Sequence, residues 1–280
     1  MPSCMINGRE MHYLDQGEGF PLLFGHCYLW DSRVWQNQFD FLSKYFRCIA
    51  PDAWSHGQSE VITEYESGLD QLVEDNRALM QHLEIERYSI VGLALGAIWG
   101  SRLAIKYPDE VASLTMMAGT LEQERPETAQ FYKNLMSSAG NIEELHSSVI
   151  DAVVKIYFCS QTQERHPALV ETFRFDLMFL TPEQVKGVVA LGLEICNRTT
   201  IVTLADQIRC PTLILSGDSD LVRPAVESNT MHDLLPGSQF AVIEEAGHML
   251  PMEQPSKVNQ LLANFLSSID GVELDLRDAV

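Results

Sequence analysis

Positive charge is scarce in this sequence: 19 lysines and arginines stand against 39 aspartates and glutamates, for a formal net charge of −20 over 280 residues. Such a surface repels phosphate backbones and anionic headgroups, which argues against nucleic acid and membranes as partners. Long apolar runs are missing too. No stretch approaches the ~18 apolar residues of a membrane span. Met1-Pro2-Ser3-Cys4-Met5 has no basic region followed by an apolar segment, so no signal peptide is expected and a cytoplasmic location is the default. The six cysteines (Cys4, Cys27, Cys48, Cys159, Cys196 and Cys210) show no CxxC spacing and no accompanying histidine cluster. That pattern fits reduced, mostly buried thiols better than a disulfide framework or a metal site. No metal or organic cofactor is implied, and internal repeats and low-complexity tracts are absent.

Hydrophobic residues make up 46% and charged residues 21% of the chain, an ordinary soluble composition. The length suits one large α/β domain with an insertion, or two modest domains. Asn7-Gly8 between short apolar runs predicts a hairpin. Buried strands are expected at Pro21–Gly25, Arg47–Ala50, Tyr88–Val91, Val111–Met117, Thr212–Ser216 and Phe240–Ile243. Helices are expected over Val34–Tyr45 and Gly68–Leu83, after Gly92-Leu93-Ala94-Leu95-Gly96, near Pro224–Leu235 and over Leu250–Leu266. Alternating strands and helices imply a mostly parallel, doubly wound α/β sheet covered on both faces. The alternation stops between 121 and 204, where four helices are expected, starting near Pro126, Asn141–Glu144, His166-Pro167 and Thr181-Pro182. The expected organisation is a core of residues 1–120 and 205–270, a helical cap of 121–204, and an acidic tail of 271–280.

Gly92-Leu93-Ala94-Leu95-Gly96, between a strand and a helix, has the layout of a nucleophile elbow. An alanine occupies the nucleophile position. Acyl transfer also needs a base, a group to orient it, and oxyanion donors. The acid candidates are Asp218 and Asp220, just after a predicted strand; Asp220 is preferred for its place in this type of loop, and Asp218 suits a turn-former. The base candidate is His248, between the last strand and the last helix and preceded by Gly247. His12, His82, His146, His166 and His232 have no such setting. Oxyanion donors are expected from the backbone of Leu95 and of Tyr28, with Cys27 second to Tyr28.

Leu22–His26, Ala50–Ser59, Val91–Ala97, the Asp220 loop and Ala246-Gly247-His248 together resemble an α/β-hydrolase with a helical cap, of the group containing carboxylesterases, enol-lactonases and haloperoxidase-like proteins. The resemblance runs from about residue 5 to 268 and is weakest in the cap. It implies hydrolysis of carboxylic esters or lactones, acyl-homoserine lactones included, by Ser-His-Asp acyl-enzyme chemistry. The substrate would be a small molecule with an apolar acyl part, and the protein a monomer or homodimer. Trp30, Leu221, Val222 and Met249 beside the catalytic loops, with Tyr157 and Phe179 in the cap, are candidate pocket residues; Phe158, Phe173, Phe175 and Met178 also enrich the cap. The family's usual His-Gly after the third strand is His26-Cys27 here, and Cys27 lies in the wrong place to replace the nucleophile.

Three readings of Ala94 compete. It is an engineered replacement of serine in a working hydrolase, made to hold substrate or product without turnover; it is natural, in a dead relative that binds a ligand or partner; or it is natural, and His248 with Asp220 does base chemistry without a covalent intermediate. A dead lineage has no reason of its own to keep elbow, acid loop and histidine loop together, which favours the first. Aspartate at position 94, as in haloalkane dehalogenases, fits Gly-Leu-x-Leu-Gly less well than serine.

Overall fold

Asn7 and Gly8, both at positive φ (51° and 82°), reverse the chain and pair β1 (Ser3–Ile6) with β2 (Arg9–Gln16), Ile6 opposite Arg9. Left-handed geometry at both turn residues matches the twist of the flanking strands. The computed structural model describes residues 1–139 and 145–270. After β2 come β3 (Phe20–Gly25), α1 (Gln36–Leu42), β4 (Phe46–Pro51), α2 (Leu69–His82), β5 (Tyr88–Leu93), α3 (Leu95–Lys106) and β6 (Val111–Met117). The cap follows: α4 (Pro126–Ala139), α5 (Ser147–Tyr157), α6 (Ser160–Arg165), α7 (Pro167–Met178) and α8 (Pro182–Asn197). The core then resumes with β7 (Thr212–Gly217), α9 (Ala225–Leu234), β8 (Gln239–Ile243), α10 (Leu250–Glu253) and α11 (Pro255–Asp270).

The strands form one eight-stranded sheet in the order β1-β2-β4-β3-β5-β6-β7-β8. β2 runs antiparallel to β1 and β4, and every pairing from β4 onward is parallel. Along β3, Leu22 and Phe24 enter one apolar core while Leu23 enters the other; along β7, Leu213 and Leu215 face the first and Ile214 the second. A period of two with both faces buried explains why these strands read as continuous hydrophobic runs. Each fully buried Leu or Phe contributes about 1.5–3 kcal/mol. In register, Gly25 lies opposite Gly92, and Leu93 opposite Met117. The loops bearing Tyr28, Ala94, Asp220 and His248 therefore leave from the carboxyl edge of the sheet, where α/β sheets place their ligands.

Some local expectations change. The predicted helix at Val34 begins as a 3-10 turn, Ser32–Trp35, capped by Asp31, whose side chain accepts from Arg33 N–H. α6 was not foreseen because Ser160–Arg165 carries no apolar stripe; the Cys159 thiol caps it by accepting from Thr162 N–H. The expected helix start at Asn141–Glu144 and the expected acidic tail lie outside the described residues; α5 begins at Ser147. The final helix is two helices, because Gln254 leaves helical geometry (φ −132°, ψ 58°) before Pro255, which has no N–H to continue the ladder.

Two contacts fix the loops around the site. The first is the approach of α3 to β3: a Cβ on Gly96 would lie 2.0 Å from Gly25 O. The second is a pair of buried histidines. His26 Nε2 accepts the N–H of Ala53 at 2.8 Å, and His56 Nε2 accepts the N–H of Leu29 at 3.1 Å, while each Nδ1 meets a backbone carbonyl, Cys27 O or Trp54 O. That arrangement requires neutral rings. Burial lowers the pKa of both; for His56, burial, with His26 adding to it, outweighs Trp54 O, Asp31 and Asp52 and brings it down to about 4.

Gly96→Ala is expected to lower the urea midpoint by an amount equivalent to about 1–3 kcal/mol or more, since backbone must move to admit the methyl group. The histidine pair predicts an acid sensitivity. An unfolded His56 takes up its proton near pH ~6.5, ahead of the folded one, so stability is complete above that value and falls as the pH drops toward about 4. Urea midpoints measured across this window should decline, and less steeply in His56→Gln.

Candidate active site

Ala94 stands between β5 and α3 at φ 49° and ψ −101°, a conformation that residues with a Cβ rarely adopt and that costs about 1–3 kcal/mol. Its N–H donates to Met117 O of β6 at 2.8 Å, and its own C=O accepts from Ile98 N–H at 3.0 Å to open the helix. The bend is held from both sides. It leaves the residue-94 side chain on the wall of a cavity between sheet and cap.

His248 lines the same cavity. Its Nδ1 lies 3.0 Å from Asp220 Oδ2, with 3% of the histidine side chain and none of the aspartate exposed. The other carboxylate oxygen, Oδ1, accepts from Val222 N–H at 2.8 Å and Arg223 N–H at 2.9 Å. Asp220 is thus oriented by its own loop before it meets the ring. With Nδ1–H directed at the carboxylate, a neutral His248 keeps its Nε2 lone pair for a proton in the cavity. Asp218 points elsewhere: it is exposed and accepts from Ser219 Oγ at 2.9 Å.

Leu95 is the first residue of α3, so helix geometry supplies no carbonyl for its N–H. Across the cavity, Tyr28 is fixed at two points: its hydroxyl donates to Val188 O at 2.8 Å, and its carbonyl accepts from Tyr157 Oη at 3.0 Å. Leu95 and Tyr28 both line the cavity. Cys27 does not; it is fully buried, its thiol 3.6 Å from Met249 Sδ. Burial pushes the Cys27 thiol up, and the other five thiols are raised as well, so none is an activated nucleophile at neutral pH.

The cavity holds about 250 Å³ and is closed by apolar cap residues such as Ile150, Val153, Leu177 and Val188. Of the expected pocket residues, Tyr157 and Val222 are on its wall. The rest are elsewhere. Trp30 is buried in a stack on Phe173 (centroids 4.7 Å apart), which also takes in Phe158 and Tyr157. Met249 is fully buried against Cys27. Leu221 and Phe179 are 63% and 66% exposed, and Phe175 and Met178 are exposed with them. Of the cap aromatics singled out in the sequence, only Tyr157 reaches the cavity; the others divide between a packed stack and an outer surface. Aliphatic residues of α5, α7 and α8, with Phe131 and Tyr132 of α4, form the cap side of the lining, which periodicity alone could not distinguish from cap core.

One polar cluster borders this apolar space. Glu124, on the chain entering the cap, bonds Arg198, on the chain leaving it, and Arg223 of the acid loop, which also meets Glu227 at 3.3 Å. Burial and the neighbouring Arg223 charge lower the pKa of Arg198 to about 10, although Glu124 pulls the other way. Glu124 itself is held below its ordinary value by the two guanidiniums, against burial, which alone would raise it. None of the three was expected from sequence, because charged residues far apart in the chain carry no local signal. Among the described residues no group of three or more His, Cys, Asp or Glu side chains is arranged to hold a metal ion, and no helix is long and apolar enough to cross a membrane.

Known proteins share this architecture. RutD of Escherichia coli O7:K1 (strain IAI39 / ExPEC), to which its name ascribes carbamate hydrolysis, is 28% identical over 237 residues, spanning 84% of this chain and 86% of its own. A thermophilic esterase from Thermogutta terrifontis, solved with malate bound, is 28% identical with a TM-score of 0.88, over 96% of this chain and 98% of that one. The enol-lactonase from Burkholderia xenovorans LB400 shares the fold at 24% identity and a TM-score of 0.85, over 95% of this chain and 100% of that one. The sequence model of the alpha/beta hydrolase fold matches residues 21–255. With that match, the eight-stranded sheet and the helical cap, this chain belongs to the α/β hydrolase fold family.

Proposed function

We propose that this scaffold hydrolyses carboxylic esters or lactones with an apolar acyl part through a serine at position 94, and that Ala94 leaves this chain able to bind such compounds but not to turn them over. The observation carrying the reading is the buried His248–Asp220 pair, 3.0 Å apart, with His248 lining the cavity that the elbow residue also lines. The esterase and the ascribed carbamate hydrolase among its relatives both bear names of acyl-transfer chemistry, in keeping with that reading.

Serine Oγ would attack the carbonyl carbon while His248 Nε2 takes its proton, and Asp220 would stabilise the resulting imidazolium. The carbonyl oxygen, now negative, would accept from the N–H groups of Leu95 and Tyr28. Collapse breaks the bond to the leaving oxygen, which receives the proton from His248. Water, deprotonated by the same imidazole, then attacks the acyl-enzyme and releases the acid and the serine. A methyl group can perform none of this.

A second reading has its own observation: a cavity of about 250 Å³, fully formed behind a non-nucleophilic residue, is what a ligand-binding relative would keep. Ala94→Ser separates the two. It should hydrolyse p-nitrophenyl butyrate, and adding His248→Ala should lower the rate by about 10³-fold or more. Absence of activity in folded Ala94→Ser on a broad panel of esters and lactones would leave the binding reading in place.

A further inference from the structure

Glu253 closes α10, and its side chain is buried. Oε1 accepts the N–H of Gly247 at 2.8 Å and of Met249 at 3.1 Å, the residues on either side of the imidazole. Oε2 accepts the N–H of Cys159 at 2.8 Å, from the link between α5 and α6 of the cap. The N–H of His248 itself goes to the cap, to Tyr157 O at 2.9 Å, a carbonyl that also meets Met249 N–H at 3.2 Å. Every backbone donor from 247 to 249 is thus engaged. One carboxylate holds two of them and the cap together.

The chemistry of the acceptor matters. An ionised carboxylate accepts at both oxygens and donates nothing, whereas a glutamine amide has one acceptor oxygen and would turn N–H against N–H at the other position. Charged acceptors also make the shorter and stronger bonds. Burial raises the Glu253 pKa, while the Cys159 and Gly247 amides and the Thr162 hydroxyl oppose the rise. The glycine before the histidine has its reason here: a Cβ on Gly247 would fall 2.7 Å from Cys159 N and 3.0 Å from Glu253 Oε1.

We propose that Glu253 is a positioning residue for His248, fixing the backbone of 247–249 so that the imidazole bridges Asp220 and position 94, and locking the cap to the same loop through Cys159. What the imidazole then does rests on the acyl-transfer reading; how it is held does not. A displacement of about 1 Å at a catalytic group can cost ~10²-fold in rate.

The test begins with the chain as it is. With ¹⁵N-labelled histidine, NMR reads the His248 Nδ1 proton shared with Asp220. Glu253→Gln and Glu253→Ala should shift that signal or broaden it away. Ser113→Ala, which removes a buried 2.7 Å bond to Ser89 within the sheet, should lower the urea midpoint and leave the signal in place. In the Ala94→Ser background, Glu253→Gln should lower kcat about 10- to 100-fold with KM changed less than about 2-fold, and Glu253→Asp should restore part of the loss. A lost signal with an inactive Ala94→Ser chain supports the positioning role and removes the ester-hydrolase reading. An unchanged signal and kcat in a folded Glu253→Gln variant overturns the proposal, as does a change confined to KM. Should the alanine variant fail to fold, the glutamine and aspartate variants carry the same readouts.

Discussion

The site depends on how closely α3 approaches β3. Gly96 meets the Gly25 carbonyl with no room for a Cβ, and that approach forces the chain to leave β5 through a left-handed residue. Ala94 is that residue, held by Met117 O on one side and the first turn of α3 on the other. The bend places a side chain above the sheet edge and, next to it, a helix N-terminal N–H with no intrahelical partner. Sheet register then brings the loops after β3, β7 and β8 to the same edge. The conformational cost is local, and the two large apolar cores on either face of the sheet offset it.

Around that bend, polar groups take fixed partners. Asp220 is oriented by two backbone amides of its own loop, His26 and His56 hold the loop after β3 as neutral rings, and the Tyr157 hydroxyl donates to the Tyr28 carbonyl beside the cavity. Beside the apolar cluster that cap residues such as Ile150, Phe173 and Leu177 share with the core, polar contacts tie cap and core at two places. At one, Glu124 joins the segments entering and leaving the cap to the Asp220 loop; at the other, Glu253 and Tyr157 O join it to the histidine loop. A cap attached this way is fastened to the two loops that carry Asp220 and His248, so cap position and imidazole position are coupled. The space left between is apolar, which suits a site that strengthens electrostatic interactions by excluding water.

Much of this was legible residue by residue. Continuous apolar runs marked the strands because both sheet faces are buried, and Asn7-Gly8 marked the hairpin because few other pairs accept positive φ twice. The tight bend at Ala94 and the strand-end loops bearing Asp220 and His248 were legible because each is tied to a strand end and a glycine or proline at short range. The pocket lining was less so. Trp30 and Met249 went into packing and Leu221 and Phe179 to the surface, since an aromatic or aliphatic side chain beside a loop does not disclose which way it faces. α6 escaped notice for lack of an apolar stripe, and the break at Gln254-Pro255 was visible as a proline but read as a continuous helix.

The sequence by itself determined the order of elements, the bend at position 94 and the chemical character of the residues there, including a side chain at 94 with no nucleophilic atom, because these rest on local backbone preference and side-chain identity. Only the tertiary structure decided which cap residues line the cavity and what holds the histidine loop. Those outcomes depend on hydrogen bonds between residues as distant as Cys159 and Glu253, or Glu124 and Arg223. A buried carboxylate finds its donors through the packing of whole elements, and no short stretch of sequence encodes that geometry.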